Sequence, residues 1–111
     1  MNEEYIPVAK TPELGPGDMT EVEAHGRHVG LTNVGQTYYA FDAECPVDGT
    51  NLAREGLLQG DRLVCPQDDA TFDVRTGECI EPEGQRGLKQ YAIKVEENQV
   101  KIGPPLNSAY S

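Results

Sequence analysis

The side chains able to do chemistry gather in two short stretches that share a pattern. Cys45 heads CPVDGTNL and Cys65 heads CPQDDATFDVRTG. Both open as Cys-Pro-x-Asp: Cys45-Pro46-Val47-Asp48 and Cys65-Pro66-Gln67-Asp68, with Asp69 adding a further carboxylate. A thiolate is a soft metal ligand and a redox group. Zinc accepts carboxylate oxygen beside thiolate sulfur. These residue types therefore point to a metal centre or to thiol chemistry. Cys79 follows a Thr-Gly-Glu turn and reads as a small buried hydrophobe. His25 and His28 flank a turn at Gly26 and read as solvent-facing turn and strand residues. No Ser-His-Asp arrangement and no Gly-rich loop between strand and helix is present, so no other catalytic constellation competes.

Short strands must position these stretches. Tyr5 to Ala9 is apolar around Pro7, as an edge strand is. Thr11 to Asp18 holds two Pro and two Gly and reads as a loop. Met19 to Ala24 alternates polar and apolar residues, and so does His28 to Asn33. Thr37 to Asp42 is strand-like through its aromatic residues Tyr38, Tyr39 and Phe41. Gly56 to Gln59 and Arg62 to Val64 flank Gly60-Asp61, a two-residue hairpin signal. Thr71 to Val74 and Cys79-Ile80 flank a tight reversal at Arg75 to Glu78. Leu88 to Glu96 and Gln99 to Ile102 meet at Glu97-Asn98. Helical periodicity is absent from every segment longer than about ten residues, which predicts little or no helix. Many short strands at close intervals imply an all-β antiparallel sandwich or barrel.

Composition narrows the class. A chain of 111 residues makes one domain with a modest core. The formal net charge of −10 argues against nucleic acid and against anionic membranes, and suits docking on a basic protein face. No apolar run approaches the length of a membrane span. The start MNEEYIPVAK lacks the basic and apolar regions of a secretory signal. Three cysteines is an odd count in such a chain. The expectation is a cytoplasmic protein with reduced thiols or metal ligands, not a disulfide scaffold.

The conjunction of CP-x-x-G-x-x-L, CP-x-x-x-x-x-FD-x-x-TG and the closing L-x-x-Y-x-I-x-V resembles the Rieske iron–sulfur domain from Tyr5 to Ile102. That family holds a [2Fe-2S] cluster through two Cys and two His, in Cys-x-His and Cys-x-x-His motifs. The cysteines, both prolines, Gly49, Leu52, Phe72, Asp73, Thr76 and Gly77 stand where the family has them. Both histidines are replaced, the first by Val47 and the second by Asp68, and Asp69 stands where the family usually has Gly. The resemblance implies a single Rieske-like domain over residues 1–103 with a flexible tail at 104–111. It implies a base subdomain of antiparallel sheets, a small cluster-binding subdomain at about 43–81, two Cys-Pro loops meeting at one tip, and a site-covering third loop containing Pro82.

Three states of the tip follow from that resemblance. The family places both cysteines on one iron, so Cys45 and Cys65 are expected close together. With no cofactor they are two buried thiols or a Cys45–Cys65 disulfide, which needs Cα atoms within about 7 Å. A [2Fe-2S] cluster on Cys45, Cys65 and two of Asp48, Asp68 and Asp69 is the second state. Four anionic ligands would make it more negative than the His-ligated form and lower its potential. Zn²⁺ on the same donors is the third. Val47 is apolar and favours the first. The expected function is then a cluster-free accessory subunit of a redox system, not an enzyme by itself. The alternative is an electron-transfer ferredoxin. The partner is a larger redox protein: an oxygenase, a reductase or a nitrite-reductase-like subunit.

Overall fold

The computed structural model describes residues 5–46, 49–67, 69–81 and 87–106. Ten strands form two antiparallel sheets. The larger runs in the order β1 (Ile6–Lys10), β10 (Gln99–Pro105), β9 (Gln90–Glu96), β4 (Thr37–Asp42), β3 (Arg27–Val34), β2 (Met19–Ala24). Its edge strands β1 and β2 approach each other, so the sheet is nearly closed. The smaller sheet has the order β5 (Leu57–Gln59), β6 (Arg62–Val64), β7 (Thr71–Asp73), β8 (Cys79–Glu81). The all-β expectation holds. Among the described residues the only helices are a 3₁₀ turn at Thr11–Glu13 and α1 (Leu52–Glu55), a single turn.

Local sequence accounts for the meander. Three turns of the large sheet, at 25–26, 35–36 and 97–98, put both central residues at positive φ. That backbone twist suits a two-residue hairpin between right-twisted strands. Gly60-Asp61 makes the expected two-residue connection, with Gln59 paired to Arg62. The 3₁₀ turn sits inside the loop expected between Thr11 and Asp18.

The strand pair β4–β9 divides the interior. Successive residues of a strand face opposite sides of its sheet. Ala40 and Tyr91, cross-strand partners, face a base core with Leu14, Ala24, Val29, Leu31, Val100 and Ile102. Their neighbours Phe41 and Gln90, also partners, lie on the other face. Phe41 enters a second core with Leu52, Leu63, Phe72, Val74 and Leu88, and Cys45, Cys65, Ala70 and Cys79 complete it. Gln90 is buried, and its side-chain amide donates to Val74 O at 2.6 Å. One β-wall therefore serves both cores.

The C-terminal boundary differs from expectation. β10 runs to Pro105, and Leu106 N donates to Gln90 O, so the expected tail joins the sheet over its first residues. Pairing with β1 ends at Ile102, and the register with β9 shifts between Ile102 and Pro105. Prolines are tolerated at such a bulged strand end, unpaired on its β1 side, because no N–H is needed there. Residues 107–111 lie outside the described residues. No helix among the described residues is long and apolar enough to cross a membrane.

Gly30 shows how tightly the wall is packed. It is the cross-strand partner of Phe41, and a Cβ there would stand 2.3 Å from the Phe41 ring. Replacing Gly30 with Ala should destabilise the fold by about 1–3 kcal/mol through overpacking. A urea midpoint lowered at unchanged m-value would show it, and an unchanged midpoint would refute it.

Candidate functional site

The two Cys-Pro loops share one backbone architecture, twenty positions apart. In the first, Cys45 N donates to Thr50 O and Gly49 N donates back to Cys45 O, both at 2.8 Å. In the second, Cys65 N donates to Ala70 O and Asp69 N to Cys65 O, again both at 2.8 Å. The flanking residues pair in the same register, Glu44 with Asn51 and Val64 with Thr71. The residue four after each cysteine is left-handed, Gly49 at φ 82° and Asp69 at φ 62°. Glycine adopts that conformation at no steric cost, and Asp is among the few other residues that visit it.

Both loops deliver their cysteine to the same core. Cys45 is 1% exposed and Cys65 0%, packed with Leu52, Leu63 and Phe72. Both stand as thiols, so the bridge considered from the sequence is not formed in this structure. Cys79 is buried in that core opposite Phe72, and its Sγ lies 3.5 Å from Glu81 O, in keeping with its reading as a small core residue. Asp69 is exposed beside the second loop. Val47, Asp48, Asp68 and Pro82 lie outside the described residues. Among the described residues, no group of three His, Cys, Asp or Glu side chains is gathered closely enough to hold a metal ion.

A polar cluster ties the first loop to the base sheet, and sequence reasoning did not find it. Glu21 on β2 accepts hydrogen bonds from Asn51 Nδ2 at 3.0 Å and Arg54 Nε at 2.6 Å. His28 Nδ1 lies 3.1 Å from the same carboxylate. Asn51 also caps α1, its Oδ1 accepting from Arg54 N at 3.0 Å. The Asn51-Leu52 start carries an N-cap signal that could have revealed this turn. The hydrogen bonds from Asn51 and Arg54 hold the Glu21 carboxyl below its ordinary range, with His28 adding to the effect. His25 and His28 are exposed, as expected. His28 is nevertheless nearer the first loop than the sequence suggests: it lines a groove of about 350 Å³ with Glu44, Gly49 and Asn51.

A second ion-pair cluster closes the turn after β7. Arg75 meets Asp61 at 3.2 Å and Asp73 at 3.3 Å. Burial pushes the Asp73 carboxyl up, but hydrogen bonds from the Arg75 side chain and backbone outweigh it and leave the carboxyl below its ordinary value. At the join of β4 and β9, the Tyr91 hydroxyl donates to Asp42, which also pairs with Arg27. Burial and that carboxylate together push the Tyr91 phenol up.

The model of the Rieske-like [2Fe-2S] domain matches residues 4–103. The ferredoxin component of a naphthalene 1,2-dioxygenase system from Pseudomonas aeruginosa is 30% identical, over 92% of this chain and 97% of its own. The biphenyl dioxygenase ferredoxin subunit of Pseudomonas sp. (strain KKS102) is 30% identical, over 88% of this chain and 90% of its own. Among solved structures, a chain from the complex of reduced oxygenase and oxidised ferredoxin in carbazole 1,9a-dioxygenase superposes with a TM-score of 0.85. It is 26% identical, over 96% of this chain and 100% of that one.

Two measurements test the site. Asp69→Gly should stabilise the fold by up to about 1 kcal/mol by relieving the left-handed strain, and Gly49→Ala should destabilise it by more than that. Equal midpoints for the two variants would contradict the loop geometry. A depressed folded-state pKa at Glu21 gives stability that is full above the unfolded carboxylate value of about 4.3. That stability is lost as pH falls through the folded value. The denaturation midpoints of wild type and Glu21→Gln should therefore differ at neutral pH and converge in acid. A pH-independent difference would contradict the assignment.

Proposed function

The chain belongs to the Rieske-like [2Fe-2S] domain family over residues 4–103, and from that premise we propose that it serves as a ferredoxin-type accessory component. It docks on a larger redox subunit in a reducing compartment such as the cytoplasm and turns over no substrate itself. The larger subunit is an oxygenase, a reductase or a nitrite-reductase-like protein. Two aspects of the chain support docking. Its relatives are ferredoxin components of dioxygenase systems, and its net charge of −10 favours steering onto a basic protein face.

The observation that carries the finer reading is the donor set. The thiolate half of the family's cluster site fits: two matched loops bring Cys45 and Cys65 into one core. The imidazole half does not. Position 47 is valine, which has no donor atom, and position 68 is aspartate. The His-ligated cluster is therefore not accommodated, and the tip acts as a contact surface over two buried thiols.

One observation favours a second reading. Asp69 keeps an exposed carboxylate at a backbone position that glycine fills with less strain. Together with Asp48 or Asp68 it would have to move in to supply oxygen donors to the two thiolates, for a [2Fe-2S] cluster in an electron carrier or for Zn²⁺.

Iron, zinc and acid-labile sulfide content decides between them, on protein purified without oxygen and with a thiol count. The accessory reading expects a colourless protein without stoichiometric iron or sulfide, and three titratable thiols per chain once reduced. Iron and sulfide near about two each per chain would overturn it in favour of the carboxylate-ligated cluster. Loss of two thiols before reduction, without metal, would identify a Cys45–Cys65 bridge.

A further inference from the structure

We propose that Glu21 is the positioning residue of the first cysteine loop: a carboxylate on the base sheet that fixes where Cys45 stands. The two loops share their internal hydrogen bonds but differ in outside support. The second is closed by two continuous strands, β6 and β7, paired from Arg62–Asp73 to Val64–Thr71. The first is closed by an isolated bridge, Glu44 to Asn51, and then passes into a four-residue helix. A single helical turn has no cooperative stability of its own. The first loop therefore depends on a tether that the second does not need.

Glu21 is that tether. Its carboxylate is 15% exposed and binds both Asn51 and Arg54, from the start and the end of the helical turn. Asn51 directly follows Thr50, whose carbonyl accepts from Cys45 N. The chain of contacts runs from β2 through Glu21 and Asn51 to Thr50 and Cys45. On the other side, Leu52 N donates to Ala43 O at 2.6 Å, and the buried Leu52 side chain packs in the cysteine core. Removing the carboxylate leaves Asn51 and Arg54 without their acceptor and frees the helix cap. The first loop should then open locally while the second stays closed. This holds whether the tip is metal-free or carries a cluster, because the hydrogen-exchange readout below reports on the backbone and the alkylation readout is taken on protein whose thiols are metal-free.

The second loop is a built-in control. In reducing buffer, the folded protein is treated with iodoacetamide and the labelling of Cys45 and Cys65 is followed by peptide mass spectrometry. In Glu21→Ala, Cys45 should react about tenfold faster or more, and Cys65 should change by less than about twofold. Hydrogen exchange should accelerate at the Cys45 and Leu52 amides and not at the Cys65 and Asp69 amides. Glu21→Gln, which keeps one oxygen acceptor, should fall between wild type and Glu21→Ala. Equal acceleration at both cysteines would mean general destabilisation and would overturn the proposal. So would no acceleration at Cys45. Should Glu21→Ala fail to fold, the same loop-against-loop comparison is read on Glu21→Gln, with the same two overturning outcomes.

Discussion

The two-faced wall made by β4 and β9 is the constraint on which the rest depends. Ala40 and Tyr91 belong to the base core, while Phe41 and Gln90 lie on the opposite face. Alternation in a strand allows no drift between these roles, because a one-residue slip would exchange the faces. Gly30 lets the Phe41 ring lie against its backbone, and the Gln90 amide reaches the Val74 carbonyl at the turn after β7. The small sheet is thereby docked on the large one through the interior.

On that wall stands a largely apolar core that holds the thiols and is bordered by the buried Gln90 amide. Cys45 and Cys65 enter it from loops with the same hydrogen bonds and the same left-handed fifth residue. The equivalence matters chemically, because it brings two sulfur atoms into one core from loops closed by the same backbone hydrogen bonds. Preorganised donors lose little entropy when a ligand or a partner engages them. The loops differ in anchoring, one being continuous with a sheet and the other held by a carboxylate cluster on β2.

The surface electrostatics have a simple structure. Arg27, Arg54, Arg62, Arg75, Lys94 and Lys101 each lie within ion-pair distance of a carboxylate. Exposed pairs of this kind contribute little to stability. Their consequence is that the positive charge is largely neutralised locally, and the surplus of carboxylates sets the field seen by a partner. Such a field governs encounter rate and orientation more than affinity.

The sequence by itself determined the strand class, nearly every strand and the two-residue turns, because alternation and turn chemistry act over a few neighbours. It also determined the Cys-Pro motifs and the buried role of Cys79. Tertiary structure alone decided the shared core of Cys45 and Cys65, since that core draws on Phe41, Phe72 and Leu88, which are distant along the chain. It also decided the single turn at Leu52–Glu55, whose cap is local but whose retention depends on Glu21, thirty residues before Asn51. The continuation of β10 through two prolines was hidden for a similar reason. Whether a proline is tolerated depends on which neighbouring strand would have needed its N–H, and only the assembled sheet answers that.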